Sequence, residues 1–431
     1  MTTDQPPIAK RVPTERTHHG DTVIDEYAWL AAKDDPETVA HLEAENAHTA
    51  AVTAHLAGLR SRIFDEIKAR TRETDLSVPV RKDRYWYYAR TEEGRQYPIH
   101  CRRAVADGEV DPPATGDGSP LPGEEVLLDG NLLAADAEFF ALGTLDVSPD
   151  GRLLAYSTDF SGDERFTLRV RDLGAGSTLA DEITDVHYGS AWSVDGSTLF
   201  YLTIDEAWRP YRVWRHTIGT PAGDDVMVYE ETDERFWVGV ELTRSEGYVL
   251  IDTSSKITSE VYAIPATAPA TPPRLVAERR QGVEYAVEHH AAPHGTDGAG
   301  QFLILHNDDA EDFALAVTPA GEPGAWTPVI AHQPGTRLIG VDAFADHLVV
   351  SLRRDGLTGL RVISIGATGL AAIADGCDFR DIEFPEPLYT VGPDYNPEFA
   401  TSSFRLGYTS MVTPDSVYDC DLATGAPPST P

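Results

Sequence analysis

Twice in this chain a Ser-x-Asp-Gly turn separates two short runs rich in apolar and aromatic residues. The first is Leu145-Asp-Val-Ser-Pro-Asp-Gly-Arg-Leu-Leu-Ala-Tyr156 and the second Ala191-Trp-Ser-Val-Asp-Gly-Ser-Thr-Leu-Phe-Tyr201. Asp-Gly is a strong hairpin signal, because Gly takes the positive φ of a tight turn at no steric cost and Asp tolerates it. The segment after each hairpin repeats too. Arg165-Phe-Thr-Leu-Arg-Val-Arg-Asp-Leu-Gly174 and Tyr211-Arg-Val-Trp-Arg-His-Thr-Ile-Gly219 are alternating strands that close on a Gly-containing turn. The unit is therefore a hairpin plus one or two further strands, and it recurs.

Such a unit predicts a mainly β chain folded as a β-propeller. Seven blade-like units are expected, near 80–102, 145–175, 190–220, 238–264, 285–318, 338–365 and 381–424. Equivalent strands recur mostly at intervals of about 45–57 residues, as four-stranded blades require. The first interval is longer because 107–124 is an acidic loop rich in Pro and Gly.

Residues 1–78 read differently, as an extended and helical N-terminal arm. Ile8-Ala-Lys-Arg-Val-Pro-Thr looks extended, and Asp34-Asp-Pro-Glu37 is a helix start with an Asp cap and Pro in the first turn. Beyond it Val39, Leu42, Asn46, Thr49, Val52, Leu56, Leu59, Ile63 and Ile67 recur at three- and four-residue steps. That spacing predicts an amphipathic helix or helix pair broken near Gly58, with an apolar stripe in need of a partner. Residues 79–425 are expected to form the propeller, and the Pro-rich end, 426–431, reads as a linker.

Composition excludes some functions. Seventy acidic residues against 35 basic ones give a net charge of −35. A nucleic-acid binder would need clustered Lys and Arg, so none is expected as a partner. The charge suits a solubilising surface or a field that draws in cationic ligands. No apolar run approaches the roughly 18 residues of a membrane span, and no signal peptide is visible, so the cytoplasm is the default. Cys101, Cys377 and Cys420 fit neither a disulfide framework nor a zinc pattern.

No catalytic residue, cofactor site or metal site is predicted. Gly189-Ser-Ala-Trp-Ser193 and Gly407-Tyr-Thr-Ser410 both miss the spacing of a nucleophile elbow. HExxH, EF-hand and P-loop patterns do not occur, and His294-Gly-Thr-Asp-Gly-Ala-Gly300 reads as a turn. His18-His19 and His289-His290 lack a third ligand nearby. Ser148 and Ser193 sit in hairpin turns, where a hydroxyl capping the backbone explains them. Trp86, Trp192, Trp208, Trp214 and Trp237 are expected in blade packing. The acid-rich stretches Glu230–Glu234 and Asp308–Asp312 read first as solvated loops and second as rims of a cavity.

Several segments resemble one family. Pro6-Pro-Ile-Ala-Lys-Arg-Val-Pro13, His19-Gly-Asp21, Asp25-Glu-Tyr-Ala-Trp-Leu30 and Leu42-Glu-Ala-Glu-Asn46 are similar to the N-terminal segment of the prolyl oligopeptidase family of serine peptidases. Tyr211–Pro221, Val228-Tyr-Glu-Glu231, Gly356-Leu-Thr-Gly-Leu-Arg361 and Tyr408-Thr-Ser-Met-Val-Thr-Pro414 resemble its oligopeptidase B branch. The resemblance implies a helical arm, a seven-bladed propeller and a C-terminal α/β-hydrolase domain that these residues do not supply. It implies that this partner domain carries the Ser, Asp and His, that the arm packs against it, and that short peptides are cleaved after Lys or Arg. On that view the chain is the gating and filtering portion of such a peptidase, inactive alone, with short cationic peptides as ligands. The alternative is a free-standing propeller that binds a peptide or protein.

Overall fold

The computed structural model describes residues 5–292, 298–365, 369–370, 373 and 379–425. The chain divides into two compact units, Met1–Glu73 and Thr74–Pro431.

In the first unit Thr14–His18 and Asp21–Asp25 form an antiparallel hairpin, turned by His19 and Gly20 at φ +52° and +82°. Helix α1, Pro36–Val52, starts as its sequence dictates: Asp35 is the cap, its carboxylate accepts the Glu37 amide at 2.8 Å, and Pro36 fills the first position. Thr53 interrupts it, a 3-10 turn covers Ala54–Leu56, and α2 runs over Ala57–Arg70. The break falls ahead of Gly58, which lies inside the first turn of α2. Val39, Leu42, Val52, Leu56, Leu59, Ile63, Phe64 and Ile67 are all exposed. An uncovered apolar face of this kind drives association. Removal of Met1–Glu73 is therefore expected to lower dye binding by exposed apolar surface and to slow aggregation. A truncated chain that aggregates faster would count against this.

The second unit is built on antiparallel strands joined by turns and loops, with a single helical turn at Gly130–Leu133 and a 3-10 turn at Ala222–Asp224 among the described residues. Its first pairing, Asp75–Leu76 with Thr91–Arg90, begins inside the stretch that the sequence assigns to the arm. Three sheets have four antiparallel strands in chain order: 237–277, 285–330 and 336–381. Among the described residues the last sheet, 389–421, has three strands and the first, 75–129, has five. The region 141–230 is one seven-stranded sheet, so the expected seven separate blades are not met sheet by sheet. The physical reason is a single 16-residue strand, Ser177–Trp192. Its first half pairs with Phe166–Asp172 and its second half with Thr198–Ile204. Asp185 and Gly189, at φ +59° and +99°, bend it without ending the ladder.

Neighbouring sheets pack face to face, which explains why their middle strands are apolar on both faces. In Gln301–His306, Phe302 and Ile304 join the core shared with the 237–277 sheet, while Leu303 and Leu305 join the core shared with the 336–381 sheet. The period of two thus serves two interfaces at once. Val349 and Leu360 pack in the same way against Phe404 and Leu406 of the last sheet. Leu127 and Leu128 of the first sheet meet Leu154 and Tyr156 of the second. Arg405 of the last sheet donates to the Pro79 carbonyl at 2.9 Å, closing a propeller-like ring. No helix is long and apolar enough to cross a membrane among the described residues.

Candidate functional site

The ring surrounds a cavity of about 560 Å³. Its polar lining comes from one innermost strand after another: Lys82, Asp146, Ser190, Glu241 and Glu288, with Arg244 and Glu246 from the turn after Trp237–Leu242. Asp146 and Glu241 each interrupt a mainly apolar run, Leu145-Asp146-Val147 and Val240-Glu241-Leu242, whereas Glu288 is followed by His289 and His290. Alternation turns each carboxylate toward the axis while its neighbours pack between sheets.

Two cations meet this acidic wall. Lys82 Nζ lies 3.2 Å from Glu246. Burial pulls the Lys82 ammonium down, but Glu246, Tyr395 and Asp146 outweigh it and hold the group above its usual range. Arg244 is the better anchored of the two. Its guanidinium reaches Asp342 at 2.5 Å, the carbonyls of Asn396 at 2.6 Å and Ala343 at 3.3 Å, and Glu288 at 3.8 Å. The Phe344 ring lies beneath it, 4.7 Å from the guanidinium carbon. Burial raises the Glu288 carboxyl to about 7 against the pull of Arg244, with Glu241 and Asp342 adding to the rise. Burial likewise brings Asp146 to about 6, although a hydrogen bond from Ser190 and the charge of Lys82 oppose it. The site is thus an anionic chamber, suited to holding cationic groups.

The residues weighed from sequence fall elsewhere. Ser148 donates to Asp150 at 2.7 Å and accepts the Leu153 amide. Ser193 repeats this with Asp195 at 2.6 Å and the Thr198 amide. Both hydroxyls fasten turns. His289 bonds Ser245 and the Ala299 carbonyl, whereas His290 faces the Ala345 carbonyl, so the pair points apart. His18 and His19 belong to the N-terminal hairpin and its turn. Trp192 and Trp86 are buried, and Trp214 packs against a core at partial exposure. Trp208 and Trp237 do not pack in the core: they are 42% and 53% exposed. Trp208 closes a loop instead, donating to the Asp163 carbonyl at 2.6 Å under the guanidinium of Arg165.

The two acid-rich stretches also lie off the chamber wall. Glu231 is buried and accepts from Arg279 and Thr253, Asp233 pairs with Arg235, and Asp308 pairs with Arg280. Glu230, Glu231, Asp233 and Asp308 are thus paired with arginines in place, which a run of acids in sequence does not reveal. Cys101 and Cys420 are buried and free, and burial pushes both thiols up to about 12. Cys377, most of the turn at His294–Gly300 and the linker 426–431 lie outside the described residues.

A family model for the prolyl oligopeptidase N-terminal β-propeller domain matches residues 6–430. The chain belongs to that family. Dipeptidyl aminopeptidase BI of Pseudoxanthomonas mexicana is 35% identical over 97% of the chain, and Protease 2 of Moraxella lacunata is 31% identical over the same share. The chain spans 57% of the length of each. Among solved structures, oligopeptidase B from Leishmania major superposes with a TM-score of 0.88 at 28% identity, over 98% of this chain and 60% of that one. Oligopeptidase B from Trypanosoma brucei gives 0.86 at 29% identity, with the same coverage. This prolyl oligopeptidase-family propeller therefore spans about three-fifths of the length of these relatives.

Proposed function

We propose that this chain is the filtering portion of an oligopeptidase B-like serine peptidase, working with an α/β-hydrolase domain that supplies the Ser, His and Asp. Carrying the reading is the match over 97% of the chain to 57% of two proteins named as peptidases. In this reading the propeller has seven blades. The two halves of Ser177–Trp192 count as the outer strand of one blade and the inner strand of the next. The anionic chamber supports short cationic peptides as substrates, cut after Lys or Arg, because its carboxylates would favour such ligands over neutral ones. Two free buried thiols accord with a reducing cytoplasm.

The purified chain alone is expected to leave Lys- and Arg-coumarylamides intact, whereas the same propeller joined to a hydrolase domain should cleave them. Turnover by the chain alone, with an unrelated peptidase excluded by active-site labelling, would overturn the reading. A preference of the joined protein for acidic peptides would overturn the substrate class.

A further inference from the structure

The two cations of the chamber connect sheets that share no strand pairing. Lys82 stands in the first sheet and Glu246 in the 237–277 sheet, with the whole 141–230 sheet between them around the ring. Their 3.2 Å contact therefore crosses the lumen. Arg244 leaves the same turn as Glu246 and reaches the 285–330 sheet through Glu288 and the 336–381 sheet through Asp342. Its hydrogen bond to the Asn396 carbonyl, at 2.6 Å, adds the last sheet. An arginine that served only one blade interface would find its acceptors on one neighbour. This one spreads its donors over three sheets besides its own, which requires a position near the axis. Charge favours keeping it there, since Asp146, Glu241, Glu246 and Glu288 line the same chamber and Asp342 pairs with it.

We propose that Lys82 and Arg244 form an ionic plug across the propeller channel, and that this pair decides which solutes pass along the axis. The proposal rests on reading the chain as a filter, and it adds the residues that do the filtering. Passage needs two cross-lumen contacts to separate together, each leaving a charge facing others of its own sign. Solutes that cannot replace these ion pairs are then excluded from this end by fixed charge rather than by width alone.

Cys101 offers a native reporter. It lines an apolar recess of about 300 Å³ that shares Lys82, Asp146 and Tyr395 with the chamber. Cys420, equally buried in the last sheet, serves as the internal control for general unfolding. The full chain and its Lys82→Met and Arg244→Met variants would be treated with iodoacetamide, and alkylation of each thiol followed by peptide mass spectrometry. Loss of either cation should speed modification of Cys101 by about tenfold, the scale of a local opening made roughly 1.4 kcal/mol easier, while Cys420 stays at its original rate. Equal acceleration of both thiols, or of neither, would overturn the plug. Because no peptidase activity is read, the result stands apart from the test of the proposed function.

Discussion

Arg405→Ala is expected to destabilise the second unit by about 2–4 kcal/mol, more than an exposed ion pair could account for. Other neighbouring sheets share clusters of buried apolar side chains, so their interfaces survive loss of one polar contact. Polar contacts hold the seam between last and first sheets. The Arg405 side chain is 6% exposed, forks onto both oxygens of Asp419 at 2.8 Å and spends its remaining arm on the Pro79 carbonyl. Glu398, from the loop of the last sheet, accepts the Asp83 amide of the first. Removing Arg405 leaves Asp419 uncompensated and a buried carbonyl without its donor, while nothing apolar fills the gap. Arg405→Lys keeps the charge but loses the planar fork, so it should recover about half of the loss. Urea titration gives the magnitude. Amide exchange places it, with protection falling first at Val80–Lys82 and Tyr389–Pro393. A change under about 0.5 kcal/mol would mean that the seam does not depend on this residue.

Most of the ring was legible in the sequence because each strand obeys local rules. The Ser-x-Asp-Gly turns sit where expected, with Gly151 and Gly196 at φ +74° and +66°. The Asp35 cap and Pro36 start α1 as their chemistry requires. Illegible were features that depend on ring closure. Asp146, Glu241, Glu288 and Asp342 come from four separate strands, and only the cyclic arrangement brings them together. At Asp146 and Glu241 the sequence carried a signal, a lone carboxylate among Val and Leu where core packing would reject it. Conversely, the dense acids at Glu230–Glu234 drew notice, yet Arg279 and Arg235 neutralise two of them in place. The continuity of Ser177–Trp192 was hidden for a similar reason. Gly189 looks like punctuation in sequence, yet its positive φ serves a bend within a ladder.

Glu288→Gln should stabilise the chain at pH 8 by up to about 3 kcal/mol and have almost no effect near pH 4.5. The wild-type carboxyl sits in a walled chamber with a side chain 19% exposed, and burial raises it to about 7 from an ordinary 4.5. Between those two pH values the folded chain keeps a proton that the unfolded chain has released. The stability this group contributes is therefore fully present below about 4.5 and is lost as pH rises through 7. An amide never acquires the charge, so the benefit of the substitution grows over the same window and levels off above it. Comparing variant with wild type at each pH cancels the many carboxylates whose contributions run the other way, such as Asp205, whose pairing with Arg209 and backbone amides outweighs its burial. Urea denaturation at half-unit steps from pH 4.5 to 8.5 supplies the curve. A difference that stays flat across that range would show that Glu288 ionises as a solvated carboxylate. A variant less stable than wild type at pH 8 would show that its attraction to Arg244 exceeds the cost of burying the charge.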